Sequence, residues 1–263
     1  MSRTLGRAPL ALLVPAVVAV AVVVLPLAGL VAQLRPSALG RALGSEMVRQ
    51  ALELSLLTSV ASTLICALLG LPLAWVLARL EFPGRRLVRA LVAVPMFLPP
   101  VVGGIALREA FGRSGVFGAP LLDHTGFAFP YTTWGVVLAH VFVCLPFVAI
   151  GMEGGLRAAG QEYDAAAATL GASRWHTFRR ITVPLAVPGI AAGLLLGWAR
   201  SLGEFGATIT FNGNYPGTTQ TMPTLIYVAR ESDENAVIAL SLIMLVISIG
   251  ILVALRDRWL VAP

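Results

Sequence analysis

Long apolar stretches separated by short polar segments dominate this chain. A helix of about 20 residues crosses the roughly 30 Å hydrocarbon core of a bilayer, and six of the stretches are close to that length or longer. A spanning segment must satisfy its own backbone hydrogen bonds, so we read each stretch as a helix. The pattern predicts an all-α membrane protein with six transmembrane helices. The predicted spans cover residues 9–34, 52–77, 91–107, 133–150, 187–211 and 236–255.

The third predicted span is rich in helix-breaking residues. A broken helix is tolerated at membrane depth where the freed backbone groups face protein or a wet cavity. Pro99 and Pro100 are therefore candidate lining residues of a translocation pathway, and a kinked packing helix is the alternative. The interruptions are Pro95, Pro99, Pro100, Gly103 and Gly104.

The apolar pattern also predicts the division of the chain. Residues 1–50 form an N-terminal transmembrane helix and a polar connector, residues 51–255 a transmembrane domain, and residues 256–263 a tail. Arg3 and Arg7 precede the first apolar run, as basic residues do in a cleaved signal peptide. The core of a signal peptide is only about 7–15 residues long, which favours a retained helix.

Composition agrees with a membrane protein and excludes several functions. Hydrophobic residues make up 57% of the chain and charged residues 12%, where soluble domains have about 25% charged residues. All 19 basic residues are arginine. A phosphate-binding P-loop requires a lysine, so any ATP that drives this protein is hydrolysed by a separate polypeptide. Lysine Schiff-base chemistry is excluded for the same reason.

The arginines are distributed unevenly between the two sides of the predicted bundle. Twelve lie at the termini or in the second-to-third and fourth-to-fifth connectors, six lie on the opposite side, and Arg200 lies within a span. The positive-inside rule then places both termini in the cytoplasm. The twelve are Arg3, Arg7, Arg79, Arg85, Arg86, Arg89, Arg157, Arg174, Arg179, Arg180, Arg256 and Arg258.

A polar segment, residues 160–189, separates the fourth and fifth spans. Its acidic, alanine-rich start favours a short helix, which Gly171 is expected to end. Ser173 is a plausible N-cap for a second short helix over residues 174–180. Pro184 and Pro188 are then expected to stop the helical pattern before the fifth span. An amphipathic helix lying on the bilayer surface is the alternative interpretation.

This segment resembles the cytoplasmic coupling loop of the permease subunits of bacterial ATP-binding-cassette importers. Asp stands where Glu is usual in that motif, and Val183 stands where Leu is usual. The resemblance implies a type I importer permease of six transmembrane helices, with a coupling-helix loop at about residues 160–184 that contacts an ATPase. The implied contact residues are Asp164, Ala165, Ala166, Ala167, Gly171, Ile181 and Pro184.

A pair of opposite charges lies within the fifth predicted span. Arg200 and Glu204 are four residues apart, so on a continuous helix they share one face. An ionisable residue at such depth costs at least about 2.5–3.5 kcal/mol and normally finds a partner. The pair therefore either neutralises itself and orients the helix, or Arg200 offers positive potential to an anion crossing the bilayer.

Two further stretches narrow the resemblance to the molybdate permeases, whose nearest relatives are the sulfate and thiosulfate permeases. They are SLGEFGATITF, ending at Phe211, and LPPVVGGIA, beginning at Leu98. The resemblance implies the membrane subunit of an ATP-driven importer for molybdate, with tungstate as a second candidate oxyanion. The implied assembly has two permease copies, two ATPase subunits that bind the ATP, and an extracytoplasmic molybdate-binding protein, in the bacterial cell membrane with its lipids. Residues 212–224 then form either a solvated outer loop or a docking surface for the binding protein.

Other chemistries find little support in the sequence. The three histidines are scattered and no metal-ligand spacing is present, no nucleophile elbow exists, and the arginines form no single basic face for a nucleic acid. Cys66 and Cys144 lie in apolar runs, which favours core packing over a disulfide. An ATP-independent anion transporter would predict related halves, which are not visible, and a membrane-embedded enzyme would need more polar groups within the spans.

Overall fold

The computed structural model describes residues 10–259, and all regular secondary structure in that range is helical. In chain order the elements are α1 (Leu10–Ala32), α2 (Pro36–Leu43), α3 (Glu46–Arg79), α4 (Arg85–Phe97), α5 (Pro100–Phe111), α6 (Gly118–Thr125), α7 (Thr133–Ala158), α8 (Glu162–Thr169), α9 (Arg174–Thr177), a π-helical turn (Phe178–Thr182), α10 (Val183–Leu202), α11 (Gly206–Asn212), α12 (Met222–Ala229) and α13 (Glu234–Trp259).

The predicted number of membrane spans agrees with this architecture. Five helical segments are long and apolar enough to cross a membrane, namely α1, α3, α7, the continuous run from α9 to α10, and α13. A sixth span arises if α4 and α5 are counted together, although their axes are bent by 115°. The all-α membrane fold is therefore confirmed.

The bend between α4 and α5 lies at Leu98 and Pro99. Pro99 has no N–H to continue the α4 hydrogen bonds, and Pro100 fits the first turn of α5, where a missing N–H costs nothing. Pro95 lies inside α4, so the prediction that it interrupts the span is wrong. Gly103 and Gly104 likewise lie inside α5. They are buried contact points, because a Cβ at Gly104 would lie 2.7 Å from the Cβ of Thr210.

The fifth span differs most from its prediction. Pro184 and Pro188 do not stop the helix, which continues from Arg174 through the π-helical turn to Leu202. In that turn the Val183 N–H bonds to the carbonyl of Phe178, five residues back. A π-helical turn shifts the hydrogen-bond register, and this is how the helix accommodates Pro184, two residues after the turn. The span then ends at Leu202 and not at residue 211.

Several other element boundaries differ from the predicted ones. The connector at residues 35–49 contains α2 and the first turn of α3, the loop at residues 108–131 contains α6, and α7 runs eight residues past its predicted end. The predicted tail at 256–263 begins inside α13, which continues to Trp259. Arg3 and Arg7 lie outside the described residues, as do residues 260–263.

The α7 helix lies at the centre of the bundle, with α3 and α10 as its most extensive neighbours. It crosses α10 at two pairs of glycines. A Cβ added at Gly151 would lie 2.6 Å from the Cα of Gly193, and one added at Gly155 would lie 2.6 Å from the Cα of Gly189. Small residues at membrane-helix crossings let backbones approach closely, so these four glycines fix the distance between α7 and α10.

The α3–α7 contact contains both cysteines. Cys66 and Cys144 are fully buried free thiols, and their sulfur atoms lie 3.4 Å apart. They belong to a cluster of buried apolar side chains that includes Val148, Met152 and Leu156. The expectation of core packing is therefore confirmed, although the sequence did not indicate that the two thiols touch.

The glycine crossing can be tested with adjacent residues of one helix. Replacing Gly155 with Ala should separate α7 from α10, because overpacking costs about 1–3 kcal/mol. For a domain of about 150–250 residues this corresponds to about 2–4 °C in melting temperature per kcal/mol. The measurement is thermal unfolding of the detergent-purified protein.

Gly154 is the matched control, since a Cβ there meets nothing within 4 Å. Gly154→Ala should leave the melting temperature unchanged or raise it slightly, because alanine is the better helix former by about 1 kcal/mol. Equal melting temperatures for the two variants would contradict the proposed contact.

Candidate functional site

The polar segment between α7 and α10 forms the predicted helix, turn and helix. The α8 helix ends in a Schellman motif, in which the Gly171 N–H bonds to the Ala168 carbonyl and the Ala172 N–H to the Ala167 carbonyl, both at 3.0 Å. Gly171 has a φ of +78°, in the left-handed region that favours glycine. The expectation that Gly171 ends the first helix is confirmed, and its reason is this backbone conformation.

The second helix begins as expected at Ser173. The Ser173 hydroxyl accepts a hydrogen bond of 3.3 Å from the His176 N–H, which is the N-cap interaction. Thr177 donates back to the Ser173 carbonyl at 3.2 Å. The N-cap therefore fixes where the chain turns from the glycine into the long α9–α10 run.

Asp164 faces the protein interior. Its Oδ2 lies 3.0 Å from Nε of Arg79, the last residue of α3, and its Oδ1 accepts a hydrogen bond of 2.7 Å from the Thr182 hydroxyl. The Arg79 side chain is only 7% exposed, and its Nη2 also donates to the carbonyl of Gly160 at 2.5 Å. One carboxylate thus connects α8 to α3 and to the start of α10.

The other predicted coupling residues differ in their exposure. Ala165 and Ala166 are exposed on α8, while Ala167 is buried. Ile181 is half-buried in the π-helical turn, and Pro184 is exposed in the first turn of α10. The structure therefore brings all of these residues into one segment but presents only part of them to the outside.

Two large exposed side chains of this segment were missed by the sequence reasoning. Leu170 is 88% exposed, directly before the glycine turn. Trp175 is also exposed, and its ring stacks on Phe178 with 5.5 Å between ring centroids. A large apolar residue beside a helix-ending glycine in a polar segment is a signal that could have identified Leu170.

A second ion-pair cluster lies in the neighbouring basic connectors. Glu153 of α7 accepts charge-assisted contacts from Arg89 of α4 at 2.5 Å and from Arg157 at 2.7 Å. Arg85 donates to the carbonyl of Leu77 near the end of α3 at 3.0 Å. All residues of α4 are at least partly exposed, and these polar contacts help to attach its first half to the bundle.

Arg200 and Glu204 pair as predicted, but on either side of a helix end. Arg200 Nη1 lies 2.5 Å from Glu204 Oε2. Glu204 follows the end of α10 at Leu202, so the expectation of one continuous helix face is wrong. Its Oε1 accepts a hydrogen bond of 2.8 Å from the Ala207 N–H and caps the start of α11. The Glu204 side chain is 1% exposed, whereas that of Arg200 is 30% exposed.

Polar side chains from other helices surround this break. Ser201 lies 2.8 Å from the hydroxyl of Ser62 on α3 and 3.0 Å from Nδ1 of His140 on α7. A Cβ at Gly206 would lie 2.5 Å from the Cβ of Pro100. Of the four predicted pathway residues, Arg200 and Glu204 are in contact with each other. Pro100 packs against Gly206, two residues after Glu204, and Pro99 lies at the α4–α5 bend.

The loop after α11 is only partly solvated. Tyr215 and Gly217 are exposed, but residues 219–222 are buried, and the Met222 N–H donates to the hydroxyl of Ser55 at 2.7 Å. The expectation of a fully solvated loop is therefore wrong for its second half. Among the side chains that the structure describes, there is no group of three or more His, Cys, Asp or Glu arranged to hold a metal ion.

Residues 70–262 match the family described as binding-protein-dependent transport system inner membrane component. The molybdenum transport system permease protein ModB of Mycobacterium tuberculosis is 42% identical over 93% of this chain and 92% of its own length. The sulfate transport system permease protein CysT of Escherichia coli is 34% identical over 89% of this chain and 86% of its own length.

A bacterial ABC transporter that imports alginate has the same fold. Its crystal structure superimposes with a TM-score of 0.77 over 94% of this chain and 93% of that chain, at 21% identity. A second structure, of a bacterial alginate ABC transporter in complex with an alginate pentasaccharide-bound periplasmic protein, gives a TM-score of 0.75 over the same shares.

The left-handed conformation of Gly171 can be tested by substitution. Gly171→Ala should destabilise the turn, because an L-residue with a side chain costs about 1–2 kcal/mol there. Since a Cβ at this position meets nothing within 4 Å, the cost comes from the backbone alone. Hydrogen exchange of the α8 amides should then be about 5- to 30-fold faster.

Gly171→Asn is the matched control, because asparagine adopts the left-handed region more readily than alanine. It should accelerate exchange less than alanine does. Faster exchange in the asparagine variant than in the alanine variant would show that side-chain bulk, and not backbone conformation, requires the glycine.

Proposed function

The chain belongs to the family of binding-protein-dependent transport system inner membrane components, and from this premise we propose that it is the membrane subunit of an ATP-driven molybdate importer. The observation that carries the choice of molybdate is the 42% identity to a molybdenum transport permease along 93% of the chain. Tungstate is an oxyanion of the same shape and charge and is the second candidate substrate.

The sulfate importers supply the alternative substrate. A sulfate transport permease is 34% identical to this chain over 89% of its length, which is lower than the 42% to the molybdenum permease. Both anions are tetrahedral and doubly charged, so the fold and the ion pairs described above suit either one. The higher identity favours molybdate.

ATP-driven transport by this chain requires a separate ATPase, because the chain lacks lysine and therefore has no P-loop. We assign that role to two ATPase subunits, which would dock on the polar segment between α7 and α10. Its outward face offers the small side chains of Ala165 and Ala166 together with the apolar Leu170. Small residues allow close approach, and an exposed leucine fits a pocket on a partner.

The remaining assembly follows from the same premise. A second copy of this chain would complete the pathway, and an extracytoplasmic molybdate-binding protein would deliver the anion to the side opposite the polar segment. The arginine asymmetry supports a cytoplasmic polar segment and cytoplasmic termini. Arg79, Arg85, Arg89 and Arg157 of the richer side lie at the end of the bundle that carries this segment.

Arg200 is the residue we assign to the anion pathway. It is partly exposed while its partner Glu204 is buried, so the positive group is the accessible member of the pair. Pro100, which packs against Gly206 just beyond Glu204, would form the neighbouring wall, with Pro99 at the bend. An ATP-independent transporter or channel would use the same residues, but it would not need the exposed polar segment.

The proposed function predicts ATP-dependent uptake of molybdate by liposomes that contain this chain with its ATPase and binding protein. Sulfate at equal concentration should not compete. Uptake abolished by sulfate would move the protein to the sulfate importers, and uptake indifferent to ATP would contradict the importer class altogether. Omitting the ATPase subunit is the control and should eliminate accumulation.

The role of Arg200 is tested with its partner replaced as well, because Arg200→Gln alone would leave a buried, unpaired carboxylate. The double variant Arg200→Gln/Glu204→Gln should raise the molybdate concentration for half-maximal uptake by about 10- to 150-fold, since a charge-assisted contact is worth about 1.5–3 kcal/mol. Uptake is compared at matched membrane abundance.

Glu204→Gln alone is the control for the arginine. It keeps the positive group and an oxygen that can accept from the Ala207 N–H, so uptake should stay near that of the unmodified protein. Unchanged uptake in the double variant would remove Arg200 from the pathway, and equal losses in both variants would assign the effect to Glu204.

A further inference from the structure

The carboxylate of Asp164 is the only described side chain of α8 that forms an ion pair with α3. It contacts Arg79 of α3 at 3.0 Å and accepts from Thr182, at the start of α10, at 2.7 Å. Arg79 also holds the Gly160 carbonyl just before α8. The side chains of Arg79 and Thr182 are buried, while Asp164 is 26% exposed. All three residues line one cavity of about 300 Å³ between α3 and the polar segment.

Apolar packing contributes little to the position of α8. Of its eight residues, all of which are described, Ala167 alone is buried. The extensive contacts of α8 are with α9 and the π-helical turn, which belong to the same polar segment. A helix that buries a single methyl group against its surroundings depends on polar contacts for its orientation. The link to Asp164 is therefore what couples α8 to α3.

The exposure pattern separates this inward face from an outward one. The Asp164 side chain is 26% exposed and both of its oxygens have partners within the chain. Ala165, Ala166 and Leu170 are among the exposed residues of the same short segment. The motif therefore contains two sets of residues, one directed at the bundle and one available to a partner.

The two helices that Asp164 connects lead to the ion pair at the other end of α10. From Thr182 the chain continues as α10 to Arg200 and Ser201. Ser201 contacts Ser62, in the middle of α3. A displacement of α8 that is transmitted through Asp164 would therefore reach the Arg200–Glu204 region along both α3 and α10.

We propose that Asp164, Arg79 and Thr182 act as positioning residues that transmit the movement of α8 to α3 and α10. This inference rests on the proposed function, because it assigns a role in coupling ATP hydrolysis to transport. It assigns Asp164, the acidic residue of the coupling motif, to the interior of the permease. Arg79 lies outside the motif, at the end of another helix.

The test uses the complete complex of permease, ATPase and binding protein in liposomes. The variants are Asp164→Asn, Thr182→Val and Arg79→Gln, together with the double variant Asp164→Asn/Thr182→Val. Three quantities are measured for each: co-purification of the ATPase, ATP hydrolysis stimulated by the molybdate-loaded binding protein, and molybdate uptake per ATP hydrolysed.

Each variant should retain the ATPase and continue to hydrolyse ATP, while uptake per ATP falls about tenfold, within the usual range of coupling between sites. Uptake per ATP in the double variant should be no lower than in Asp164→Asn, because both changes break the same link. Asp164→Glu keeps the carboxylate and should recover part of the uptake. Glu162→Gln removes a negative charge from the same helix turn, where Glu162 is exposed, and should have no effect.

Two results would overturn the proposal. Loss of ATPase co-purification in Asp164→Asn but not in Thr182→Val would make Asp164 a direct contact, and unchanged coupling in both variants would show that the link transmits nothing. Thr182→Val removes one hydroxyl from a fully formed helix, so it stays informative if the charge variants fold poorly. Absence of ATP-dependent uptake by the unmodified complex would instead contradict the proposed function.

Discussion

The close contact of α7 and α10 determines where both functional regions lie. Glycines at positions 151, 155, 189 and 193 let the two backbones approach to a distance that any side chain would prevent. The α10 helix is continuous with the polar segment at its start and reaches Arg200 near its end. A change in the α7–α10 crossing would therefore displace the candidate coupling segment and the candidate pathway residues together. The positions of both regions therefore depend on this crossing.

The interior of a membrane protein offers few ways to satisfy a charge or a broken hydrogen-bond ladder. Glu204 does both at one position, since it neutralises Arg200 and caps α11 through the Ala207 N–H. The buried carboxylate thus satisfies an N–H group freed by the helix break, and the break places the carboxylate next to Arg200. At the other end of the bundle, Glu153 performs a comparable role by attaching α4, whose residues are all partly exposed, through Arg89. Ion pairs thus add to apolar packing where short helices bury little surface.

Local chemistry made some elements predictable from the sequence. Gly171 and Ser173 mark the turn between α8 and α9 because a left-handed glycine and a hydroxyl cap act within a few residues. The pairing of Arg200 with Glu204 was also predictable, since residues four apart remain neighbours even though α10 ends between them. The prediction that Pro184 and Pro188 stop the helix was wrong, because the π-helical turn before them shifts the backbone hydrogen-bond register. The Ser62–Ser201–His140 contacts join three helices and have no signature in any one of them.

The orientation of Asp164 shows why a motif does not assign the direction of its residues. An acidic residue followed by alanines is compatible with an outward contact or an inward one, because one turn of helix presents both faces. The direction of the Asp164 side chain depends on Arg79, eighty-five residues before it, and on Thr182, eighteen residues after it. These two partners are brought to α8 by the α7–α10 crossing and the end of α3. In its proposed coupling role, α8 has to be attached to the helices that move, and an outward-facing carboxylate would leave it attached mainly to its own segment. The inward carboxylate supplies that attachment, while the exposed alanines and Leu170 remain free to contact a partner.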